Sequence, residues 1–528
     1  MTRSESLEQI YRTAVADHQA GRFLRATAGY EQVLSENPNF LPARNNLAAA
    51  LVELDRPDDA AACYQEGLRR HPNSFEIHTN FGNLKRAAGD LDTAVHHYAE
   101  AIKLDPQAGE VRYALGVVFR ALGRNTEAVR ELQAAAELLG ADPRPWTALA
   151  AVYLGNGADE RAGACLVEAL RRNPDDPDTL NLKGIHCRAA VKFDAALAAF
   201  DAAIRNQPDH AAAHYNRGTL RLLLGDLPAA WVDYEWRWRG RGDGVARGTP
   251  LGLPEWNGEA LNGRSVLLIG EQGFGDTVQF IRYAPLIKSR GGRVILRCRP
   301  ELHRLLAEAP GVDAICGYDD PPPRVDFYLS LLSLPKIFET APATVPFPDG
   351  YLPDEYLSGE DLNTRASAET LVGTCNVGLV WAGSPGHEND ANRSLSLDQL
   401  KPLLDISGVA FHSLQIGAAS EQRNQAPYRD IITDLAPDIG DFADTAACLS
   451  TLDLLISVDT AAVHVAGALG RPAWVLLAVV PDWRWLHTGT SSAWYRSMTL
   501  FRQPAAGDWK TPVDAAARAL RALIGAGG

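Results

Sequence analysis

Four short stretches in the second half of the chain carry residue types suited to chemistry on a charged ligand. The first is Leu268-Ile-Gly-Glu-Gln-Gly-Phe-Gly-Asp-Thr277. An apolar run, Val266 to Ile269, reads as a short buried strand and breaks at Gly270 into a loop with two more glycines and one carboxylate, Asp276. A strand, a glycine loop and a helix start in that order let a ligand approach the backbone and aim free N–H groups at it. This setting suits a phosphate or a sugar, although a tight structural turn has the same composition. The glycines at 270, 273 and 275 are not at the intervals of the dinucleotide fingerprint. Gln272, Gly273 and Gly275 line the loop, and Asp276 closes it.

The other three stretches lie beyond residue 375. Val380-Trp-Ala-Gly-Ser-Pro-Gly386 passes through a polar span to Asn392-Arg-Ser394, where Arg393 is the one arginine or lysine. A guanidinium on a cleft loop suits a diphosphate, and the same residue on a solvated surface would bind nothing. Ser413-Leu-Gln-Ile-Gly417 ends a strand at Gln415, whose amide could hydrogen-bond a base or a ribose. In Leu455-Ile-Ser-Val-Asp-Thr-Ala-Ala-Val-His464 a strand stops at Val458 and a helix follows almost at once. Asp459 stands at the expected N-cap, so its carboxylate is assigned to the first-turn N–H groups. The anion then falls to Thr460 and Ala461, through their backbone N–H groups and the threonine hydroxyl. His464, one turn in, is either a packing residue or a ring N–H donor to that anion.

Positioning these loops requires alternating strands and helices. Val266–Ile269, Arg293–Cys298 and Phe327–Leu332 read as strands, with a helical stretch over 277–290. After a polar interval the alternation restarts at Val377–Trp381, Ala410–Gln415, Leu454–Val458 and Ala473–Leu477. Two Rossmann-like domains facing a cleft are expected, 263–365 and 366–528, preceded by a linker over 241–262. The last helix, about Pro512 to Ile524, has an Ala/Leu face that can pack back on the first domain. The aromatic segment Trp483 to Arg496 either lines the sugar side of the cleft or packs helices across the two domains, and packing is favoured.

Residues 1–240 repeat with a period of 34. Pro38, Pro72 and Pro106 are 34 apart, Pro143 is displaced by three, and Pro174 and Pro208 return to the frame. Ala26, Ala60, Ala94, Ala128, Ala162, Ala196 and Ala230 mark a second position, and Ala14, Ala48, Gly82, Gly116, Ala150, Gly184 and Gly218 a third. Tyr30, Tyr64, Tyr98, Leu132, Leu166, Phe200 and Tyr234 place a large residue at a fourth. The pattern resembles seven tetratricopeptide repeats, an α-solenoid. Small residues let two antiparallel helices approach, a large residue fills the gap, and proline ends the second helix. A concave groove that binds protein or peptide is the expected use. Trp231-Val-Asp-Tyr-Glu-Trp-Arg-Trp238 is read as a cap on the last repeat that docks onto the next domain.

Composition narrows the function classes. A formal charge of -14 over 528 residues argues against nucleic acid as a partner. The seven cysteines are scattered without a C-x-x-C pair, so neither a disulfide framework nor a zinc site is expected. No apolar run spans a bilayer, and a cytoplasmic location is expected.

Gly275-Asp-Thr277 together with Ser457-Val-Asp-Thr-Ala-Ala-Val-His464 is similar to the bacterial heptosyltransferase-like glycosyltransferases of the GT-B fold. The segments Gly270 to Thr277, Gly378-Leu-Val-Trp-Ala-Gly383, Asn392-Arg-Ser394 and Val480-Pro-Asp-Trp-Arg-Trp485 resemble the tetratricopeptide-containing bacterial members more closely still. The resemblance implies inverting transfer from a nucleotide sugar, with no metal and no further cofactor. It implies that Asp276 is the base that activates the acceptor hydroxyl, and that Arg393, Thr460 and His464 hold the donor diphosphate. The acceptor it implies is a protein such as flagellin, captured by the repeats. Ala461 departs from the family, which favours glycine there, and its methyl group would narrow the approach of the phosphate. A non-catalytic repeat scaffold with a degenerate GT-B half, and a transferase for a saccharide or lipid-linked acceptor, are the alternatives.

Overall fold

The computed structural model describes residues 3–239, 252–321, 323–353, 374–387, 389–425 and 427–526. Most of the expected linker, and the boundary expected at 365/366, lie outside the described residues. The chain divides into two compact units, Met1–Pro208 and Asp209–Gly528. Six helical repeats make up the first unit. The seventh belongs to the second, together with the α/β region. That division differs from the boundary at 240, because the last helix pair is held by contacts with the strands' loops rather than by its period.

Fourteen consecutive helices run from α1 (Arg3–Gln19) to α14 (Leu227–Tyr234), two per repeat. The marker alanines at 26, 60, 94, 128, 162, 196 and 230 are all fully buried. In three repeats the small residue of the first helix lies against the large residue of the second. A Cβ on Gly82 would sit 2.7 Å from the Tyr98 ring, one on Gly116 2.6 Å from Leu132, and one on Gly184 2.3 Å from Phe200. Helix spacing within these repeats is therefore set by the absence of a single methyl group. Pro143 falls out of frame because the helix Asn125–Leu139 runs on to Gly140, whose positive φ of 44° ends it instead. Pro143 then stands at the N-cap of the helix Arg144–Gly155.

The second unit holds two parallel sheets. In the first, β1 (Ser265–Ile269), β2 (Arg293–Arg297), β3 (Ala314–Cys316) and β4 (Phe327–Ser330) lie in the order β3-β2-β1-β4. In the second, β5 (Cys375–Val380), β6 (Val409–Ser413), β7 (Ile432–Asp434), β8 (Leu454–Val458), β9 (Ala473–Leu477) and β10 (Met498–Arg502) lie in the order β10-β9-β8-β5-β6-β7. Leu267, Leu268 and Val458 are fully buried, as strands covered on both faces should be. The strands missed in the sequence, β3, β7 and β10, all lie at sheet edges. Two of them are three residues long, too short for a pattern.

Two helices matter for the site: α15 (Phe274–Phe280), which follows β1, and α16 (Ala461–Ala468), which follows β8. They pack against each other and so join the two sheets. The last helix, α17 (Lys510–Ala526), does not return to the first sheet. Its Val513, Ala516, Ala517 and Leu520 enter the core of the second sheet with Val377, Leu379 and Ile456, because its apolar stripe matches the face left open by β5 and β8. Among the described residues no helix is long and apolar enough to cross a membrane.

The close approach within repeats gives a direct test. Gly184→Val should destabilise by about 1–3 kcal/mol through overpacking against Phe200. Gly155→Ala, where nothing lies within 4 Å of the added Cβ, should be neutral or stabilise by up to about 1 kcal/mol. Thermal melts of the two variants beside the wild type measure both.

Candidate functional site

Three of the four sequence loops leave their sheets where strand order reverses. In the first sheet β1 lies between β2 and β4, so the connection after β1 departs opposite to the one before β4. In the second sheet β5 and β8 are neighbours whose outgoing chains lead to opposite sides. Loops after such strands diverge and leave a crevice at their carboxyl ends. The glycine loop follows β1, the Trp381–Arg393 span follows β5, and Asp459–His464 follows β8.

On the first-sheet side, Gly273 is the N-cap of α15, and Asp276 reaches back to accept a hydrogen bond of 2.7 Å from its N–H. The other carboxylate oxygen of Asp276 accepts from Arg484 Nη2, closing an ion pair between the two sheets. The Asp276 side chain is 13% exposed. Burial raises its pKa above the ordinary aspartate value, while Arg484 and the Gly273 N–H oppose the rise. A Cβ on Gly275 would lie 2.5 Å from His464 Cδ2, so this glycine is what lets α15 and the histidine of α16 meet.

On the second-sheet side, Arg393 donates from Nη1 to the backbone oxygen of Asp459 at 3.0 Å and pairs with Asp390 at 3.4 Å. A Cβ on Gly383 would sit 2.5 Å from Arg393 Nη2, which explains the small residues after Trp381. The cation is therefore brought to the start of α16. Thr460 is the N-cap of α16. The Thr460 side chain does not cap the helix, and its hydroxyl is 3.1 Å from that of Ser457. Ala461 is the first helical residue.

Two sequence expectations are corrected. Asp459 does not cap α16, because the chain stays extended for one residue more, through Thr460 at φ −139° and ψ 168°. Its carboxylate is instead only partly buried, and desolvation followed by the negative charge of Asp482 raises its pKa to about 6 against the pull of Trp485, Arg393 and Arg484. Gln415 is not available to a base or ribose. The strand ends at Ser413, and the side chain turns under the β5 loop. Its Oε1 accepts from Trp381 N at 3.0 Å and Ala382 N at 2.8 Å, and its Nε2 donates to the oxygens of Ala382 and Ile416. All four hydrogen-bonding positions of the amide are used, and Gln415 holds the loop that carries Gly383.

His464 is buried, with Nδ1 3.0 Å from the Tyr495 hydroxyl and its ring stacked on Trp485 at 5.4 Å. Burial, reinforced by Arg484, lowers its pKa to about 3, so at neutral pH the ring is uncharged. It can serve an anion through one N–H, without a charge.

The residue that sequence reasoning missed is Arg484. It is 7% exposed, pairs with Asp276 and with Asp482 at 2.8 Å, and donates from Nε to Gln279 Oε1 at 2.8 Å. Its guanidinium lies 4.2 Å from the Trp483 ring centroid. The motif Val480 to Trp485 was noticed, but its tryptophans suggested packing, and an arginine between two tryptophans gave no sign of its carboxylate 208 residues away.

Comparison with known proteins bears on both halves unequally. The tetratricopeptide repeat family matches residues 18–79, 79–144 and 188–244. The chain is 28% identical over 434 residues to Protein FlbA of Caulobacter vibrioides, over 75% of this chain and 70% of that protein. A tetratricopeptide repeat protein of Parabacteroides merdae is 16% identical, with a TM-score of 0.40, over 45% of this chain and 94% of that one. YrrB, a tetratricopeptide repeat protein with an unusual peptide-binding site, is 22% identical, with a TM-score of 0.31, over 35% and 95%. The N-terminal region is thus a run of tetratricopeptide repeats, followed by an α/β region.

The depressed pKa of His464 has a measurable consequence. Below pH about 6.5 the unfolded chain binds a proton that the folded site refuses until about pH 3. The folded state therefore loses stability as pH falls through that window. Melting temperature should fall more steeply between about pH 7 and 5 in the wild type than in His464→Asn; parallel profiles would show that the ring titrates normally.

Proposed function

We propose that the chain is a glycosyltransferase that moves a sugar from a nucleotide-sugar donor to an acceptor hydroxyl, with a protein as acceptor. The observation that carries this reading is the meeting of two differently equipped loops: a buried carboxylate, Asp276, from the first sheet and an uncapped helix start with Arg393 beside it from the second. Asp276 accepts the proton of the acceptor hydroxyl as its oxygen attacks the anomeric carbon. The bond from that carbon to the diphosphate oxygen breaks, and negative charge grows on the leaving phosphate. Arg393, the first-turn N–H groups of α16 and the neutral His464 ring stabilise that charge. Attack from the Asp276 side, opposite the departing diphosphate, inverts the anomeric centre. Burial makes Asp276 a stronger base than a solvated aspartate, and Arg484 opposes that rise in basicity.

The competing reading, a repeat scaffold whose α/β half does not turn over, draws on the same ion pair, since Arg484 occupies the carboxylate that must receive the proton. Two variants separate the readings. UDP, GDP, ADP and CMP compounds are screened by thermal shift; the cognate nucleotide at about 100 times its Kd should stabilise by about 2.7 kcal/mol, and Arg393→Ala should abolish the shift. Absence of a shift with all four would remove the donor site. Asp276→Asn should keep the shift and lose transfer by about 10²–10⁴-fold. The role of the repeats in acceptor capture is tested by removing residues 1–208, the first compact unit. Transfer to a protein acceptor should fall, while hydrolysis of the donor by water persists.

A further inference from the structure

The seventh repeat grips the loops of the candidate site itself. Arg237, which follows α14 and has a side chain only 4% exposed, clasps the Glu271 carboxylate with Nη2 at 2.8 Å and Nε at 3.1 Å. The same guanidinium donates to Ser333 Oγ at 2.8 Å and to Glu235 at 2.7 Å, and Ser330 also donates to Glu271. The next loop residue, Gln272, stands at φ +61°, a left-handed conformation unusual for a side-chain-bearing residue, and its amide donates to the Tyr234 hydroxyl at 3.2 Å. Gly273, one residue on, donates to Asp276. Two consecutive residues of the glycine loop are thus held from outside by the seventh repeat, immediately before the N-cap that orients Asp276.

The grip extends to the other side of the crevice. Trp231 donates its indole N–H to Thr340 O at 2.8 Å and sets its ring edge-on to Trp483 at 5.7 Å. Tyr234 meets the same Trp483 at 5.9 Å, and His487 N–H donates to Leu223 O at 2.9 Å. Trp483 and His487 flank Arg484, the partner of Asp276. A stalk that only carries its neighbour could use an apolar contact; a fully bonded buried guanidinium aimed at one loop fixes a geometry.

We propose that the seventh repeat is a positioning element of the transferase site: Tyr234 and Arg237 hold Glu271 and Gln272 so that Asp276 faces the acceptor, and Trp231 sets Arg484 opposite it. The proposal rests on the reading of Asp276 as the base. Tyr234→Phe removes only the hydroxyl, and Arg237→Lys keeps the charge but not the two-pronged clasp. In the full chain both should leave nucleotide affinity and donor KM unchanged, with kcat reduced about 10- to 100-fold, the scale expected for a misplaced catalytic group. Val232→Ala, on the same helix but exposed, should leave kcat unchanged. Combined with Asp276→Asn, Tyr234→Phe should cost nothing further, because both act through one group. Amide hydrogen exchange over residues 270–277 should quicken in both positioning variants while the solenoid's exchange stays the same. If kcat and loop exchange match the wild type while Asp276→Asn abolishes transfer, the positioning role is overturned and the base stands. If Asp276→Asn retains transfer, the base reading fails by itself, and loop exchange alone decides whether the repeat holds the loop.

Discussion

The ion pair between Asp276 and Arg484 is the constraint on which the second unit depends. Removing two charges from water costs several kcal/mol per ion unless each finds complementary partners. The surroundings supply them: Gly273 N–H for the carboxylate, and Asp482, Gln279 Oε1 and the face of Trp483 for the guanidinium. Because Asp276 comes from the first sheet and Arg484 from the segment after β9, breaking the pair would strand a charge at the junction of the sheets. The pair also arranges the neighbourhood: Arg484 helps to keep His464 neutral, and it tempers the rise in the Asp459 pKa.

Close packing of small residues carries the same theme through the rest of the chain. Gly184 against Phe200 in a repeat, Gly275 against His464 between the sheets, and Gly383 against Arg393 in the β5 loop all leave no room for a Cβ. In the repeats the gap is filled by an apolar ring, and the result is stability. At the site it is filled by a polar side chain, and the result is the approach of groups able to bind an anion. One physical device serves both purposes, and the chemistry of the opposing side chain decides which.

The seventh repeat belongs to both schemes. Its sequence keeps the period, with Gly218, Ala230 and Tyr234 in frame, but Gly218 packs against Asp233 and the Tyr234 backbone where its counterparts meet the large side chain. Yet Tyr234, which elsewhere would only fill the gap between helices, also offers its hydroxyl to Gln272. Periodicity describes how a residue packs within its repeat and is silent on what its polar end meets, so the transition from solenoid to site is invisible in the pattern.

Local physics was readable from the chain alone. The 34-residue repeat, the strands β8 and β9 to the residue, and the glycine loop with Asp276 at its end all follow from spacing and backbone preference. The choice of Arg393, Thr460 and His464 as neighbours of one helix start comes instead from the resemblance to the heptosyltransferase-like enzymes. What only the tertiary structure decided is the pairing of polar groups distant in sequence. Arg484 meets Asp276, Gln415 is consumed by the backbone of Trp381 and Ala382, and Asp459 feels the charge of Asp482 and does not cap its own helix. Sequence patterns report which face of an element is apolar; a buried polar group is governed by the requirement that every donor and acceptor find a partner, and that can be solved only when the whole chain is in place.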